Sequence, residues 1–168
     1  LIRQVMYGRR FFRQEFGVDS RVLWLPDVFG YSGALPQILK GCGCVGFATT
    51  KITWAYNGGD PFPFNTFWWE GIDGTALPAH IFNDYNSQTR PNSIMDRWQG
   101  RLVKNSVPSM LLSFGWGDGG GGPTRDHAEY LRRSADLEGL PKVKPSSPAE
   151  FFADLAARGL PKDRYVGE

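Results

Sequence analysis

Residues 22–33 read Val22-Leu23-Trp24-Leu25-Pro26-Asp27-Val28-Phe29-Gly30-Tyr31-Ser32-Gly33, and this segment sets the architecture of the chain. Its first four residues form an apolar run, typical of a strand buried beneath helices, and the run stops at a proline. In α/β sheets, functional groups lie just beyond the carboxyl ends of the strands, where Asp27 stands. Asp27 is therefore either a catalytic carboxylate or the N-cap of a helix predicted over 34–40, since Asp is a favoured N-cap residue.

The residues around this segment alternate between helical and strand patterns, which predicts an α/β fold. Apolar side chains at helical spacing predict a helix over 1–16, with Gly17 as its C-cap. An apolar, β-branched run over 45–50 predicts a second strand, and parallel pairing with a right-handed crossover is the default connection. The Asp73-Gly74 pair predicts the tight turn of a β-hairpin. The other predicted elements are the hairpin strands 66–70 and 75–82, the strands 109–114 and 140–143, and the helices 94–105, 124–137 and 148–158.

The composition is that of an ordinary globular domain. The chain has 168 residues with a formal net charge of +2, which is enough length for one buried core. Its basic residues are scattered, so we expect no nucleic-acid surface, and no apolar run is long enough to span a bilayer. Cys42 and Cys44 fit neither the usual redox spacing nor a zinc clasp, which favours two free thiols in a reducing cytosol.

Four unusual strings lie along the chain: WLPDVFGYSGALPQIL from Trp24, FATTKITW from Phe47, TFWWEGIDGT from Thr66 and GWGDGGGGPT from Gly115. In content and order they resemble the α-mannosidases of glycoside hydrolase family 38, in particular the cytosolic and bacterial branch. The resemblance implies that residues 1–168 are an incomplete catalytic domain, cut at both ends. It also implies part of a (β/α)7 barrel, with a parallel sheet, flanking helices and one β-hairpin insertion.

The resemblance implies a retaining α-mannosidase that acts on terminal α-mannosides of oligosaccharides and glycans. Asp27 matches the family's nucleophile, which forms a covalent mannosyl-enzyme. The same aspartate binds a divalent metal in the family, so Asp27 is also the implied ligand of zinc or cobalt. The family's other metal ligands have no match here, and His80 and His127 lie in segments that match neither ligand position. We therefore expect the 168 residues by themselves to be inactive and to bind zinc poorly.

Four more residues are candidates for the site. Asp118 lies in the glycine run, one residue out of register with the acid/base aspartate of other family branches, and is either the acid/base or a sugar contact. Phe29 matches an aromatic residue that lines the sugar pocket. Lys51 lies where relatives carry a cation near the nucleophile, and a surface lysine at a strand end is the alternative. Tyr85 is a candidate hydroxyl of the site.

Two other functions remain open from the sequence. The abundant aromatic residues also suit a non-catalytic carbohydrate-binding module. The pattern Gly115-x-Gly117-x-x-Gly120 fits a dinucleotide-binding fingerprint, although Asp118 and Pro123 both oppose a phosphate at that loop. The resemblance further implies a cytoplasmic protein whose partner is a mannose-containing oligosaccharide rather than nucleic acid or a membrane.

Overall fold

A five-stranded sheet with flanking helices forms the framework of the computed structural model, which describes residues 1–53, 62–82, 84–102, 107–117, 119–159 and 161–168. The helices are α1 (Ile2–Phe16), α2 (Leu35–Gly41), α3 (Pro91–Gln99), α4 (Arg125–Ser134) and α5 (Pro148–Arg158). The strands are β1 (Val22–Leu25), β2 (Gly46–Thr49), β3 (Thr66–Glu70), β4 (Ala76–Ile81) and β5 (Arg164–Val166). A single 3₁₀ turn, Lys51–Thr53, follows β2. No helix in these ranges is long and apolar enough to cross a membrane.

The strand order is β1-β2-β4-β3-β5, and the sheet is mixed rather than wholly parallel. β1, β2 and β4 run parallel, with Val22 opposite Gly46 and Phe47 opposite Ala79. β3 is antiparallel to β4 because the Asp73-Gly74 turn joins them directly, which leaves no chain for a crossover. The predicted strand–helix–strand unit and hairpin are confirmed. The prediction of a wholly parallel sheet is wrong, because β1, β2 and β4 share one direction whereas β3 and β5, which pair in parallel with each other, run in the opposite direction.

Helices cover both faces of the sheet, which explains why its strands are short apolar runs. On one face, Leu35 and Leu39 of α2 pack with Phe47, Leu77 and Ile81. On the other face, α5 packs its aromatic and leucine side chains against the sheet. The buried residues of that second cluster are Ala48, Phe82, Val107, Phe151, Phe152 and Leu155. The sheet thus has a core on each side, and the loops at its strand ends are left for function.

Local signals account for the ends of several helices. Gly17 ends α1 in the left-handed region, at φ 68°. Ser147 Oγ accepts a hydrogen bond from Glu150 N at 3.2 Å and caps α5. At the start of α4, Thr124 N donates to His127 Nδ1 at 3.1 Å. An imidazole therefore does here what Glu or Gln does in the usual capping box, which the sequence pattern alone did not indicate.

Two predicted strands are wrong. Over 109–114 the described chain makes only one isolated parallel bridge, between Phe114 and Ser87. The ladder does not extend because Leu111 N donates to His80 Nε2, at 3.3 Å, instead of to a neighbouring strand. Residues 140–143 are also irregular, since Pro141 has no N–H to give to a ladder.

Other elements also differ from the prediction. α3 begins at Pro91 and is capped by Gly100, so the helix predicted over 94–105 starts earlier and ends earlier. β5 was not predicted from the sequence, because three residues carry too little pattern. It is stabilised by pairing with β3, in which Trp69 lies opposite Tyr165.

Candidate active site

Asp27 lies at the carboxyl end of β1, two positions after its last residue, and its side chain is 50% exposed. It does not cap the next helix, because α2 begins much later and its N-cap is Ala34. The capping interpretation is therefore wrong. A half-exposed carboxylate at a strand end is placed where a ligand can reach it.

Lys51 is the ion-pair partner of Asp27. Its Nζ lies 3.0 Å from Asp27 Oδ1, and its side chain is only 6% exposed. The pair forms because β1 and β2 are parallel neighbours, so that their carboxyl ends lie at the same edge of the sheet. Lys51 is thus a buried cation against a reachable carboxylate, and the interpretation as a surface lysine is wrong.

Two aromatic residues enclose the Lys51 ammonium. Lys51 Nζ donates a hydrogen bond to Tyr85 Oη at 3.1 Å and lies 5.0 Å from the centroid of the same ring. It also lies 5.6 Å from the ring centroid of Phe29, a residue that is 73% exposed. These distances suit cation–π contacts. The structure therefore brings three candidates, Asp27, Phe29 and Tyr85, together around a fourth, the Lys51 ammonium.

Opposing effects act on the charge of Lys51. Burial lowers the pKa of its ammonium, but the hydrogen bonds with Tyr85 and with Asp27 together outweigh burial and leave that pKa raised. Lys51 is consequently positive throughout the neutral range. It supplies a fixed positive charge beside the Asp27 carboxylate.

Residues that sequence reasoning missed hold this edge of the sheet. Thr49 Oγ1 donates to Leu25 O at 2.7 Å and shares a 2.5 Å hydrogen bond with Tyr31 Oη, which ties the ends of β1 and β2 together. Arg97 of α3 pairs with Asp84 at 2.6 Å, next to Tyr85. No local sequence pattern predicts these contacts, because each one joins residues that are more than ten positions apart in the chain.

The glycine run after residue 114 borders the same site. Asp118 itself lies outside the described residues. The segment before it is described, and Ser113 Oγ donates to Tyr85 O at 3.2 Å. A Cβ added to Gly117 would lie 3.0 Å from Asn86 Nδ2, which shows how closely the two segments approach.

The histidines do not join this cluster. His80 is fully buried, with Nδ1 2.8 Å from Thr66 Oγ1, and burial lowers its pKa to about 3. It is a structural residue of the hairpin, because it joins β4 to β3 through Thr66. His127 is buried at the start of α4.

The described residues do not by themselves fit a divalent metal. They contain no group of three or more His, Cys, Asp or Glu side chains that could hold an ion. Zinc normally takes four ligands, and Asp27 would supply one carboxylate whose Oδ1 already faces Lys51.

Comparison with curated proteins shows that nearly the whole of this chain is similar to a short part of each of several much longer proteins. It is 39% identical over 170 residues to "Alpha-mannosidase 2C1" of Homo sapiens, a match that covers 100% of this chain and 16% of that protein. It is 42% identical to "Alpha-mannosidase G" of Dictyostelium discoideum, over 99% of this chain and 15% of that protein. The chain thus spans no more than 16% of the length of either relative.

The fold is also that of a solved structure. The crystal structure of an alpha-mannosidase from Enterococcus faecalis V583 matches with a TM-score of 0.72 at 18% identity, over 99% of this chain and 20% of that one. The family model described as "Glycosyl hydrolases family 38 N-terminal domain" matches residues 1–166. The chain therefore belongs to glycosyl hydrolase family 38, and nearly all of it is N-terminal domain of that family.

Proposed function

We propose that the protein carrying this sequence is a retaining α-mannosidase that hydrolyses terminal α-mannosides of oligosaccharides and glycans. The names of the relatives support the substrate class. The observation that carries the proposal is the half-exposed Asp27 carboxylate, at a strand's carboxyl end, paired with the buried Lys51 ammonium. A carboxylate held this way is suited to attack an electrophilic carbon.

Each residue of the cluster has a separate part in this chemistry. Asp27 attacks the anomeric carbon as the glycosidic bond breaks, and the bond formed is an ester to the sugar. Lys51 fixes the carboxylate, and Tyr85 in turn holds Lys51 through the 3.1 Å hydrogen bond. The exposed ring of Phe29 is suited to packing against sugar C–H groups.

A retaining mechanism needs a second carboxyl group about 5–5.5 Å from the nucleophile. We assign it to Asp118, which protonates the leaving oxygen and then removes a proton from the attacking water. The approach of Gly117 to Asn86, beside Tyr85, supports this assignment. The water's oxygen ends on the anomeric carbon, and the Asp27 carboxylate is released.

Further parts of the proposal concern the protein around these residues. We propose that Asp27 is one ligand of zinc or cobalt and that the other ligands lie outside this sequence. We also propose that β1, β2 and β4 belong to a (β/α)7 barrel, that the 168 residues alone are inactive, and that the protein is cytoplasmic. The parallel pairing of β1 with β2 and of β2 with β4 supports the barrel, since barrel strands run parallel.

A trapping experiment tests the nucleophile. The protein is incubated with 5-fluoro-α-mannosyl fluoride, which lets the sugar–enzyme ester accumulate, and is then digested for mass spectrometry. We expect a fluoromannosyl adduct on the peptide that contains Asp27, and none in the Asp27→Asn variant. The matched control is Asp154→Asn, which removes a carboxylate paired with Arg158 on α5 at 2.9 Å and should leave labelling intact.

The outcomes separate the competing functions. An adduct on another residue would remove Asp27 from the nucleophile role. A protein that binds mannosides but turns over none of them, with its metal present, would be a carbohydrate-binding module instead.

A further inference from the structure

Trp116 is an exposed indole in the loop that leads into the glycine run. The residue is 51% exposed, although burying an indole is strongly favourable. An exposed aromatic residue on a loop at the end of a sheet is a common mark of a ligand surface.

The described contacts place the base of this loop beside the candidate active site. Phe114 pairs with Ser87 in a parallel bridge, and Gly115 N donates to Ser87 O at 3.3 Å. Ser87 lies two residues after Tyr85, whose hydroxyl contacts Lys51. The backbone that leads to Trp116 therefore lies against the segment that carries Tyr85.

The indole is held in place by a buried histidine. The rings of Trp116 and His127 are 5.7 Å apart at 87°, and His127 is only 3% exposed. Because Thr124 N donates to His127 Nδ1, that nitrogen accepts and Nε2 carries the proton. Among the described residues His127 Nε2 has no hydrogen-bond partner, and the His127 ring contacts the rings of Trp116 and Phe114. A flat ring that is already positioned loses little entropy when a ligand stacks on it.

We propose that Trp116 forms a second sugar subsite, which stacks the hexopyranose unit next to the mannose bound at Asp27. This inference rests on the proposed α-mannosidase function. The Phe29 ring centroid lies 5.6 Å from Lys51 Nζ, so we assign Phe29 to the first sugar. Trp116 follows the Phe114–Ser87 bridge, two residues further along the chain from Phe114, so we assign it to the second. The apolar C–H face of a pyranose is the chemistry that an exposed indole recognises. Trp116 is therefore a specificity residue for oligosaccharides rather than a catalytic residue.

The test compares the effect of each variant on a substrate that fills this subsite with its effect on a substrate that does not. α-Mannosyl fluoride places a single sugar at Asp27, and α-linked mannobiose adds the second sugar. For Trp116→Ala we expect kcat/KM to fall about tenfold on mannobiose, mostly through KM, and to stay within about twofold on the fluoride. Trp116→Phe keeps a flat ring and should recover most of the loss on mannobiose.

The control variant is Phe11→Ala, which removes an aromatic ring of similar exposure, 54%, from α1. It should leave kcat/KM unchanged on both substrates. Equal losses on both substrates for Trp116→Ala, or no loss on mannobiose, would overturn the subsite while the α-mannosidase proposal stands. A wild-type protein that turns over neither substrate with its metal present would instead overturn the proposed function, and the subsite with it.

A second readout does not depend on turnover. In the Asp27→Asn background, mannobiose binding is followed by calorimetry and by the indole N–H signal of Trp116 in NMR spectra. We expect mannobiose to shift that signal and mannose alone to leave it in place. An unshifted signal at saturating mannobiose would contradict the stacking.

Discussion

Lys51 Nζ lies 3.0 Å from Asp27 Oδ1, and the lysine side chain is 6% exposed whereas that of the aspartate is 50% exposed. The two members of this ion pair therefore have different roles. The cation is fixed in the protein, enclosed by Tyr85 and Phe29, and the carboxylate stays open to a ligand. A reacting group whose counter-charge is preorganised in this way need not reorganise solvent during the reaction.

We predict that Asp27→Asn lowers turnover of α-mannosides by about 10⁴-fold or more, because an amide cannot form the ester to the sugar. The fold should persist, since the Asp27 side chain is half exposed. Steady-state kinetics and thermal unfolding check both parts, with Asp154→Asn as the active control. Activity within tenfold of wild type would contradict the nucleophile assignment.

Lys51→Met should lower kcat/KM by about 10²–10³-fold, the loss typical of removing one preorganised electrostatic contact at a reacting group. Lys51→Arg keeps the positive charge, but the larger guanidinium does not fit the buried position between Asp27 and Tyr85, so we expect an intermediate loss of kcat/KM. Lys142→Met is the matched control, because Lys142 is 84% exposed and pairs with Asp136 only at the surface. Wild-type kinetics in Lys51→Met would show that the ion pair has no part in the reaction.

Asp118→Ala should distinguish an acid/base from a sugar contact. If Asp118 protonates the leaving oxygen, the variant will lose far more activity on natural glycosides than on activated aryl mannosides, since only the former need the proton. Kinetics on a series of leaving groups provide the measurement. Equal losses over the series would assign Asp118 to sugar binding.

His80 should make the stability of the fold sensitive to acid. Burial lowers the pKa of His80 from 6.5 to about 3. Between these pH values the imidazole is protonated in the unfolded chain but stays neutral in the folded chain. Stability is therefore lost as the pH falls from 6.5 towards 3. Between pH 7 and 5 we expect His80 to contribute a loss of about 2 kcal/mol in the free energy of unfolding.

The measurement for His80 is urea unfolding of the wild type and of His80→Gln at both pH values. The variant lacks the titrating ring, so its free energy of unfolding should fall by about 2 kcal/mol less than that of the wild type over this interval. Parallel losses in the two proteins would show that His80 is not responsible.

Gly46 tests the packing of α5 on the sheet. A Cβ on Gly46 would lie 2.6 Å from the Phe152 ring, so Gly46→Ala should destabilise the fold by about 1–3 kcal/mol. Gly8→Ala is the matched control, because no atom lies within 4 Å of its added Cβ and Gly8 is inside α1. That control should stabilise the protein by about 0.5–1 kcal/mol. A neutral Gly46→Ala, or one not relieved by adding Phe152→Leu, would contradict the close packing.

Sequence patterns predict the elements whose signals are local. The Asp73-Gly74 turn, the apolar β1 before Asp27 and the Ser147 cap of α5 each depend on residues a few positions apart. The same patterns fail over 109–114, because the backbone that should extend a ladder is taken by His80, which lies far away in the sequence.

The sequence by itself therefore determined the strand–helix–strand unit, the hairpin, the position of Asp27 at a strand end and, through its motifs, the family. Only the tertiary structure decided that Lys51 is a buried partner of Asp27 and not a surface residue, that β5 forms against β3, and that Phe114 pairs with Ser87, two residues from Tyr85. The physical reason is the range of the interactions. Turns and caps are stabilised by neighbours in the chain, whereas an ion pair between two parallel strands exists only once the sheet has brought their ends together.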